Sequence, residues 1–365
     1  MKSNLKILII ANSVVGLHDF RKELISQLVC KNRVVASTPF DDNNKVASLK
    51  ETGCALINTA MDRRGMNPIR DISLLVKYHK LIKVEKPELV ITYTIKPNIY
   101  GGIVCRLKKI PYAANITGLG TAFQGKGLLR KMVTMMYRFA LKKAKVVFFE
   151  NAGNMQLFID EKIIQKEQAK LLNGAGVNLD RYSVLPYPED TDETRFVFIG
   201  RVMAEKGVNE LFESMRMLKK DGIACSLDML GGFDENYSEK IEKAKAEGWL
   251  RYHGYQSDVR PFIKNCHCFV LPSWHEGMAN TNLECAASGR PIITSNIHGC
   301  LEAVEDGTSG YLCEARNCES LYNAMKKMAY LNVDERRTMG LAGRRLMEES
   351  FDKKRVVEET VRSML

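Results

Sequence analysis

The chain has 365 residues, of which 45% are hydrophobic and 27% charged, and its formal net charge is +11. This length suggests two domains of ordinary size, and the composition is that of a soluble globular protein. No apolar run reaches the roughly 18 residues that a transmembrane helix needs, which argues against a membrane-spanning protein. The ten cysteines form no Cys-x-x-Cys pair, so we expect reduced thiols in a cytoplasmic protein.

Charge is distributed unevenly along the chain. Residues 1–188 carry 30 Lys and Arg against 14 Asp and Glu, whereas residues 189–365 carry 24 against 29. Eleven Lys or Arg and no acidic residue occur between Glu88 and Glu150. The N-terminal half is therefore expected to meet something anionic, and a membrane surface, a lipid phosphate and nucleic acid are the candidates.

Short apolar runs typical of strands alternate with segments of helical periodicity through the first half of the chain. A first strand over 5–11 is predicted to end in a loop over 12–19, after which a helix runs from Phe20 to Val29. Further strands are predicted at 33–37, 55–57, 89–93, 112–117 and 145–149. Further helices are predicted at 43–52, 70–84, 98–107 and 127–143. Strands that alternate with helices indicate a parallel, doubly wound sheet.

A segment over 173–194 combines Gly, Pro and acidic residues and is predicted to link this domain to a second one. Strands of the second domain are predicted at 195–200, 226–231, 250–255, 268–271, 291–295 and 310–313. Its helices are predicted at 207–219, 236–246, 257–265, 280–288, 299–304, 318–330 and 334–349. The predicted fold class is α/β, with two Rossmann-like domains facing across a cleft. They comprise residues 1–180, onto which a C-terminal helix over 352–365 folds back, and residues 190–350.

Two cations follow the first strand of the second domain. Arg201 and Lys206 lie in the loop between Gly200, where the strand ends, and a helix that begins near Gly207. A forked guanidinium and a compact ammonium at the carboxyl edge of a sheet suit a diphosphate. Solvated loop charges are the alternative interpretation, and a second polar loop at the same sheet edge argues against it.

That second loop is the segment 274–284, which contains two carboxylates eight residues apart. Glu276 follows a buried strand, and Glu284 lies in the next helix. Open α/β sheets bind ligands at the carboxyl ends of their strands. The backbone N–H groups that open the helix predict an anion site, and they belong to Met278, Ala279, Asn280 and Thr281.

Glycine turns end several other predicted strands. In the second domain, Gly232 with Phe233 and the segment 254–259 are expected to complete one pocket with the two loops above. In the first domain, Gly16 permits close backbone approach to a phosphate or sugar, and Gly118 is expected to face the cleft. His18 is a candidate binder or proton relay, although a lone histidine is more often structural.

The predicted helix over 127–143 is both basic and apolar. Such a helix suits the surface of an anionic membrane. It equally suits a helix packed on the sheet, whose lysines extend to solvent along their apolar stems. The sequence leaves both interpretations open.

Cys266, His267 and Cys268 are of residue types that commonly bind metals. On a strand the two thiols share one face and the imidazole points to the other, and no second ligand pair is evident. We therefore expect a core strand and no metal site.

Taken together, these motifs resemble those of the GT-B glycosyltransferases of family 4. The resemblance rests on Gly200-Arg201 with Glu205-Lys206-Gly207, on Glu276-Gly277 with Glu284, and on Gly289-Arg290-Pro291, and it covers nearly the whole chain. It implies a retaining enzyme that uses a nucleotide sugar. The segments 18–21 and 118–120 are similar to those of the branch that extends undecaprenyl-diphosphate-linked sugars in capsule, O-antigen and bacterial N-glycan assembly.

The resemblance also implies roles for individual residues. The predicted catalytic residues are Glu276, which would contact hydroxyls of the transferred sugar, and Arg201 and Lys206, which would stabilise the leaving UDP without a metal. Glu284 would hold the ribose, the amides of 277–279 the sugar or pyrophosphate, and the loop 254–259 the base. The full set of predicted donor-binding residues is Gly16, Gly200, Gly232, Phe233, Tyr255, Ser257, Val259, Gly277, Met278, Ala279, Asn280, Thr281 and Glu284.

The acceptor is expected on the basic first domain, with predicted contacts at His18, Arg21, Thr117 and Gly118. Some relatives carry a histidine where this chain has Thr117, so no catalytic histidine is predicted, and His18 is a substitute contact at most. The family mechanism of internal return lets a donor phosphate oxygen take the acceptor proton, which removes the need for a general base.

The predicted function is transfer of N-acetylgalactosamine or a related hexose from a UDP-sugar to a lipid-diphosphate-linked saccharide, without a cofactor. The predicted partners are a nucleotide sugar, a polyprenyl-diphosphate-linked saccharide and the anionic inner face of the cell membrane, where the protein would sit peripherally on the cytoplasmic side. A nucleotide-sugar epimerase of the same architecture is one alternative, although it needs paired acid and base residues in the cleft. A basic nucleic-acid-binding protein is the other, and the lack of interleaved aromatic residues argues against it.

Overall fold

The computed structural model describes residues 4–62, 65, 67–120, 123, 125, 127–189 and 193–365. Its contacts divide the chain into two compact units, Met1–Ala175 with Lys354–Leu365, and Gly176–Lys353. Each unit is built on one parallel sheet with helical connections, which confirms the predicted pair of doubly wound sheets. Within the described residues, no helix is both long and apolar enough to cross a membrane.

The N-terminal unit contains seven strands and their connecting helices. The strands are β1 (Lys6–Ile10), β2 (Arg33–Thr38), β3 (Ala55–Asn58), β4 (Leu89–Tyr93), β5 (Tyr112–Ile116), β6 (Val146–Phe149) and β7 (Ala169–Leu171). The helices are α1 (Val14–Val29), α2 (Asn43–Lys50), α3 (Pro68–Glu85), α4 (Gly102–Lys108), α5 (Leu128–Leu141) and α6 (Ala152–Asp160). A turn of π-helix, Pro97–Gly101, precedes α4 within the predicted helix over 98–107.

The strand order of this sheet is β3-β2-β1-β4-β5-β6-β7. Ile7 of β1 pairs with Val34 on one side and with Leu89 on the other, all in parallel register. Side chains alternate across a strand, so Ile7 joins the core on one face and Leu8 the core on the opposite face. Both faces of the sheet are therefore covered, as a parallel sheet requires.

The C-terminal unit contains a six-stranded sheet. Its strands are β8 (Thr194–Ile199), β9 (Cys225–Leu230), β10 (Leu250–Tyr252), β11 (Cys268–Leu271), β12 (Ile292–Ser295) and β13 (Gly310–Cys313), in the order β10-β9-β8-β11-β12-β13. Its helices are α7 (Val208–Lys220), α8 (Ser238–Ala246), α9 (Arg260–Asn265), α10 (Asn280–Ala287), α11 (Cys318–Tyr330) and α12 (Val333–Ser350). The helix predicted over 299–304 is only a single 3-10 turn, Leu301–Ala303.

The last helix, α13 (Lys353–Met364), returns to the N-terminal unit. Three of its buried residues join the core cluster formed by β1 and α1, and they are Val357, Val361 and Met364. Lys145, just before β6, donates a hydrogen bond of 2.6 Å to the carbonyl oxygen of Met364. The C-terminal helix is thus part of the N-terminal core.

Helix α1 begins at Val14 rather than at the predicted Phe20. The Ser13 hydroxyl accepts the N–H of Gly16 at 3.3 Å, which caps the helix. Gly16 and His18 therefore lie in the first turns of a helix, and the predicted loop over 12–19 was wrong. The β-branched residues and the glycine of this stretch have low helix propensity, and the cap outweighs them.

Two elements were not predicted, α6 and β7. The Asn151 side chain accepts the N–H of Asn154 at 2.8 Å and starts α6. Asn and Gly in its first turn have low helix propensity, which hides it in the sequence. Strand β7 has only three residues and lies at the edge of the sheet, so it lacks the buried run that reveals the other strands.

Arg290 ties the segment that precedes β8 to the C-terminal unit. Its side chain is fully buried and donates hydrogen bonds to six backbone carbonyl oxygens. Two of these acceptors, Leu185 and Pro186, belong to the segment predicted as a linker, and the Pro186 bond is 2.7 Å. A buried guanidinium needs such full pairing, because each unpaired donor would be costly away from water.

Candidate active site

The carboxyl end of the C-terminal sheet has a topological switch point between β8 and β11. These strands are neighbours, but the chain leaves β8 towards β9 and leaves β11 towards β12, on the opposite side. The connections that begin with the loops 200–207 and 272–279 therefore run to opposite sides of the sheet. Open α/β sheets bind ligands at such a point. Both loops that were predicted to be catalytic lie there.

Lys206 and Glu276 form an ion pair across this switch point. The Lys206 ammonium contacts Glu276 Oε1, which also accepts a hydrogen bond of 2.7 Å from the Ser273 hydroxyl. The two side chains are only 17% and 11% exposed, so salt screens the contact less than a surface pair. Both residues were predicted to line one pocket, Lys206 at the diphosphate and Glu276 at the sugar of the donor. Their contact with each other was not predicted.

Two glycines allow the loops to pack closely. Gly207 has a φ of +71°, and a Cβ there would lie 2.0 Å from the carbonyl oxygen of Pro272. Gly299 has a φ of +92°, and a Cβ there would lie 2.8 Å from the carbonyl oxygens of Glu276 and Gly277. Neither position accommodates a side chain, because both the backbone conformation and the distance forbid it. Backbone contact therefore holds together the loops after β8, β11 and β12.

Trp274 fixes the loop that carries Glu276. Its backbone N–H donates to the carbonyl oxygen of Glu205 at 2.9 Å, and its indole N–H donates to Glu210 Oε1 at 3.0 Å. The Arg316 guanidinium lies 4.4 Å from the centre of the ring, within the range of a cation–π contact. Trp274 thus connects the loop after β11 to the start of α7 and to the turn after β13. No role was predicted for either Trp274 or Glu210.

Arg201 lies at the same sheet edge but has a different partner. Its guanidinium donates to Asp234 Oδ2 at 2.6 Å, and the side chain is 55% exposed. Asp234 belongs to the loop after β9, which also contains Gly232 and Phe233. The Phe233 ring stacks on Tyr252 with a centroid distance of 5.2 Å. The two cations predicted to share a diphosphate therefore differ in burial, with Arg201 open to solvent and Lys206 nearly enclosed.

The start of α10 offers fewer backbone amides than predicted. The N–H of Ala279 donates to the carbonyl oxygen of Gly299 at 2.7 Å, and the N–H of Asn280 donates to that of Met278 at 3.0 Å. Two of the four amides expected to hold an anion are thus hydrogen-bonded within the protein. The contact with Gly299 joins segments distant in sequence, so the local pattern does not reveal it. Thr281 follows in the first turn of the helix.

Glu284 lies in α10 and is half-buried. Its carboxylate is hydrogen-bonded to the Tyr182 hydroxyl, in the segment that precedes β8. Burial, and after it the charge of Glu284, raises the pKa of Tyr182, so the hydroxyl stays protonated and donates. The carboxylate predicted to hold a ribose is therefore already oriented by a neighbouring side chain.

The loop after β10 carries the residues predicted to frame a base. It follows the edge strand, two strands away from β8. Tyr255 is 71% exposed, Ser257 lies in the loop, and Val259 immediately precedes α9. Asp258 accepts two hydrogen bonds from the Arg260 guanidinium, at 2.8 and 2.7 Å, and this pairing lowers the pKa of Asp258 to about 2.

The predicted acceptor contacts of α1 already have partners within the N-terminal unit. The His18 ring lies 2.7 Å from Asp19 Oδ1. The Arg21 guanidinium pairs with the buried carboxylate of Glu150 and lies 4.9 Å from the centre of the Tyr93 ring. Burial raises the pKa of Glu150, and the nearby Arg21 opposes this rise. Arg21 thus holds α1 against the end of β6.

Gly118 follows β5, as predicted, and Thr117, predicted as the last residue of that strand, lies directly after it. The neighbouring strand β4 is followed by a residue to which no role was predicted. Thr94, directly after β4, has a φ of +72°. A β-branched residue in this region is strained by about 1–3 kcal/mol, and such strain concentrates at functional sites. A polar residue after a fully buried strand was the signal that could have identified it.

The segment 266–268 does not resemble a metal centre. His267 is fully buried and its Nδ1 accepts the N–H of Arg195 at 2.9 Å. Burial raises the pKa of Cys266 to about 12, so the thiol stays protonated at neutral pH. No group of three or more His, Cys, Asp or Glu with a metal-binding arrangement occurs among the described residues.

Two family models match the chain. The model described as Glycosyl transferases group 1 matches residues 186–346, and the model described as Glycosyl transferase 4-like matches residues 18–151. The chain is a glycosyltransferase. The first match contains both loops at the switch point between β8 and β11, and the second contains α1 from residue 18 onward and the ends of β4 and β5.

Named relatives of this glycosyltransferase are found in bacteria. The N,N'-diacetylbacillosaminyl-diphospho-undecaprenol alpha-1,3-N-acetylgalactosaminyltransferase of Campylobacter jejuni is 26% identical over 356 residues, which is 93% of this chain and 92% of that protein. The UDP-Gal:alpha-D-GlcNAc-diphosphoundecaprenol alpha-1,3-galactosyltransferase of Escherichia coli is 27% identical over 73% of this chain and 72% of its own. These relatives support neither the epimerase nor the nucleic-acid alternative.

Solved structures share the fold. Anabaena HepE in complex with UDP and glucose superposes with a TM-score of 0.81 at 14% identity, over 99% of each chain. A glycosyltransferase from Rickettsia africae gives a TM-score of 0.79 at 16% identity, over 99% of this chain and 98% of that one. With the two parallel sheets, these neighbours confirm that the glycosyltransferase has the GT-B fold.

Proposed function

We propose that this glycosyltransferase moves N-acetylgalactosamine or a related hexose from a UDP-sugar to a polyprenyl-diphosphate-linked saccharide, with retention of the anomeric configuration. The Lys206–Glu276 ion pair at the switch point is the observation that supports a UDP-sugar donor. The acceptor half is supported by the two bacterial relatives, whose names specify undecaprenyl-diphosphate-linked acceptors.

Donor binding would exchange one partner of Lys206 for another. The diphosphate of the donor competes with the Glu276 carboxylate for the ammonium, because it carries more negative charge. Glu276, still hydrogen-bonded by Ser273, then accepts hydrogen bonds from hydroxyls of the sugar. The ion pair therefore keeps both side chains ordered and oriented before the donor arrives, which is the condition for electrostatic catalysis.

The two cations would stabilise the departing nucleotide. As the bond between C1 of the sugar and the diphosphate breaks, negative charge develops on UDP beside Lys206, and Arg201 supplies a second positive charge from the solvent side. The acceptor hydroxyl forms the new bond on the same face of C1, and a phosphate oxygen of the leaving UDP takes its proton. We expect transfer without added divalent metal, because two protein cations occupy the role that Mg²⁺ has elsewhere.

A donor and acceptor screen tests the proposal. Purified protein is mixed with UDP-N-acetylgalactosamine, UDP-N-acetylglucosamine, UDP-galactose or GDP-mannose and a short-chain polyprenyl diphosphate bearing one N-acetylhexosamine. We expect a UDP-sugar to extend this acceptor, in EDTA as well as in Mg²⁺, and the anomeric proton coupling of the product to match that of the donor.

Three results would contradict the proposal. Conversion of a UDP-sugar to its epimer without acceptor would favour the epimerase. Product of inverted configuration would refute retention. Equal transfer to a sugar that lacks the polyprenyl diphosphate would refute the proposal that the acceptor is lipid-linked.

We further propose that the exposed face of α5 rests on an anionic membrane. One face of this helix is packed in the core, through Val133, Tyr137, Ala140 and Leu141. The opposite face is the α5 stripe, spaced at helical intervals and formed by Leu128, Met132, Met135 and Phe139. Lys131, Lys142 and Lys143 are exposed on the same helix or just after it. Apolar insertion combined with basic charge is how interfacial helices bind anionic lipid.

Vesicle flotation tests this surface. The wild-type protein should float with vesicles containing anionic phosphatidylglycerol and less with neutral phosphatidylcholine. The double variant Met135→Glu, Phe139→Glu should bind anionic vesicles at least about tenfold more weakly, because it removes apolar insertion and adds repulsion. Tyr330→Glu, which changes a similarly exposed residue on α11, is the control and should float like the wild type. Equal flotation of both variants would refute the surface.

A further inference from the structure

The N-terminal sheet has its own switch point, between β1 and β4. The order β3-β2-β1-β4-β5 makes these strands neighbours, whereas the chain leaves them in opposite directions. The residue that follows β4 at this point is Thr94. Its carbonyl oxygen accepts the N–H of Asn98 at 3.0 Å, at the start of the π-helical turn. A turn of π-helix is a rare deviation that is frequent at functional sites.

Thr94 combines two unfavourable features. Its φ of +72° makes it the only β-branched residue in the left-handed region among the residues described. Its hydroxyl oxygen is buried, yet it has no hydrogen-bond partner within the described part of the chain. A valine would fill the same volume without leaving a polar atom unpaired, so packing does not account for a threonine here.

The neighbouring polar side chains are satisfied. The Thr92 hydroxyl donates to Asn98 Oδ1 at 2.7 Å, and the Asn98 amide donates to the carbonyl oxygen of Asn115 at 2.8 Å. Asn115 in turn donates to the carbonyl oxygen of Thr92 at 3.2 Å. This closed network fixes the ends of β4 and β5. The Thr94 hydroxyl stands outside the network, at the end of the strand that the network holds.

The charges near Thr94 are balanced. Lys96, two residues further on, pairs with Asp71 at 2.9 Å, and both side chains are nearly buried. Arg21, which lies over the ring of Tyr93, pairs with Glu150. The side chain of Thr94 is itself neutral, so it offers a ligand a hydrogen bond rather than an ionic contact. A neutral, hydroxyl-rich ligand needs a hydrogen bond and no net charge.

From these observations we infer that Thr94 hydrogen-bonds the sugar ring of the acceptor, at a hydroxyl or acetamido group, rather than its diphosphate. The inference rests on the proposed function, since it assumes that an acceptor saccharide binds the N-terminal unit. Thr94 is thus a binding residue, and its strained backbone fixes the position of the hydroxyl directly after β4, at the switch point.

The test compares three variants on the short-chain polyprenyl diphosphate bearing one N-acetylhexosamine. Thr94→Val keeps the β-branched shape and removes the hydroxyl, and we expect the KM for this acceptor to rise about five- to tenfold, which is the effect of one lost neutral hydrogen bond. The KM for the nucleotide sugar should stay within about twofold. Thr94→Ser should bring the acceptor KM back towards that of the wild type. Thr92→Val, which breaks the closed network, should lower the Tm without an acceptor-specific change in KM.

Binding of the same probe, measured by saturation-transfer NMR without a nucleotide sugar, separates this inference from the proposed function. Wild-type protein that binds the probe but does not extend it, with binding reduced in Thr94→Val, would refute the transfer reaction and keep the subsite. An acceptor KM or binding signal that is equal in wild type and Thr94→Val would overturn the subsite. So would equal impairment of Thr94→Val and Thr94→Ser, or no binding of the probe to the wild type.

Discussion

The two sheets have the same topology at their switch points and opposite chemistry there. Between β8 and β11, the side chains of Lys206 and Glu276 form an ion pair, and Glu276 also accepts a hydrogen bond from the Ser273 hydroxyl. Between β1 and β4, nearby charges are paired off and the notable group is a neutral hydroxyl on a strained backbone. The winding of the sheet thus determines where a ligand can bind. The side chains after the strands determine whether it is anionic or neutral.

The largest effect is expected from breaking the charged switch point. Lys206→Met removes the cation that would stabilise the leaving UDP, and we expect kcat to fall about 10²–10³-fold, as for other preorganised electrostatic groups. The measurement is UDP release with saturating donor and acceptor. Lys220→Met changes an exposed lysine at the end of α7 and should leave the rate unchanged. Wild-type turnover in Lys206→Met would refute the assigned role.

A smaller effect is expected from the residue that orients this loop. Trp274→Phe keeps a ring beneath Arg316 but loses the indole hydrogen bond to Glu210. We expect the KM for the donor to rise about three- to tenfold, because one hydrogen bond to a charged group no longer fixes the Glu276 loop. The matched control is Trp249→Phe, whose indole donates to Glu247 at 2.8 Å away from the switch point. It should lower the Tm without changing the donor KM, and an equal change in both variants would count against a positioning role.

The smallest effect is expected from an ion pair outside either switch point. Arg260 lowers the pKa of Asp258 to about 2, below its ordinary value of 3.8. A carboxyl with a depressed pKa adds stability above its ordinary pKa, and this stability is lost as pH falls towards 2. Asp258→Asn should therefore lower the free energy of unfolding at pH 7 by less than about 1 kcal/mol, since the pair is largely exposed.

The pH series provides the check on this last prediction. The difference in unfolding free energy between Asp258→Asn and the wild type should shrink between pH 4 and pH 2. A difference that grows on acidification would contradict the assigned pairing.

The strands of both sheets could be predicted because buried runs leave a strong local signal. The helices that alternate with these strands indicated parallel pairing, and from this the carboxyl-edge positions of Arg201, Lys206 and Glu276 followed. The local sequence pattern could not predict the contact between Lys206 and Glu276, because the neighbouring positions of β8 and β11 in the sheet bring these residues together. Nor could it predict that the carbonyl oxygen of Gly299 accepts a hydrogen bond from the N–H of Ala279.

The start of helix α1 and the unusual backbone angle of Thr94 were also not predicted. The start of α1 depends on one hydroxyl, that of Ser13, which outweighs the poor propensity of the residues after it. The backbone strain of Thr94 could not be predicted, because an ordinary threonine after a strand gives no sign of an unusual backbone angle. Strained residues are positions where local preference is overruled by the rest of the fold, so a method based on local preference misses them.

Arg290 has a consequence for anyone who dissects this chain into fragments. Composition suggests a cut near residue 190, after the prolines. A fragment beginning there would lack the carbonyl groups of Leu185 and Pro186, and the guanidinium at its centre would lose two of six acceptors in the interior. A piece intended to fold alone should therefore begin at Gly176 and end at Lys353, where the contacts divide the chain.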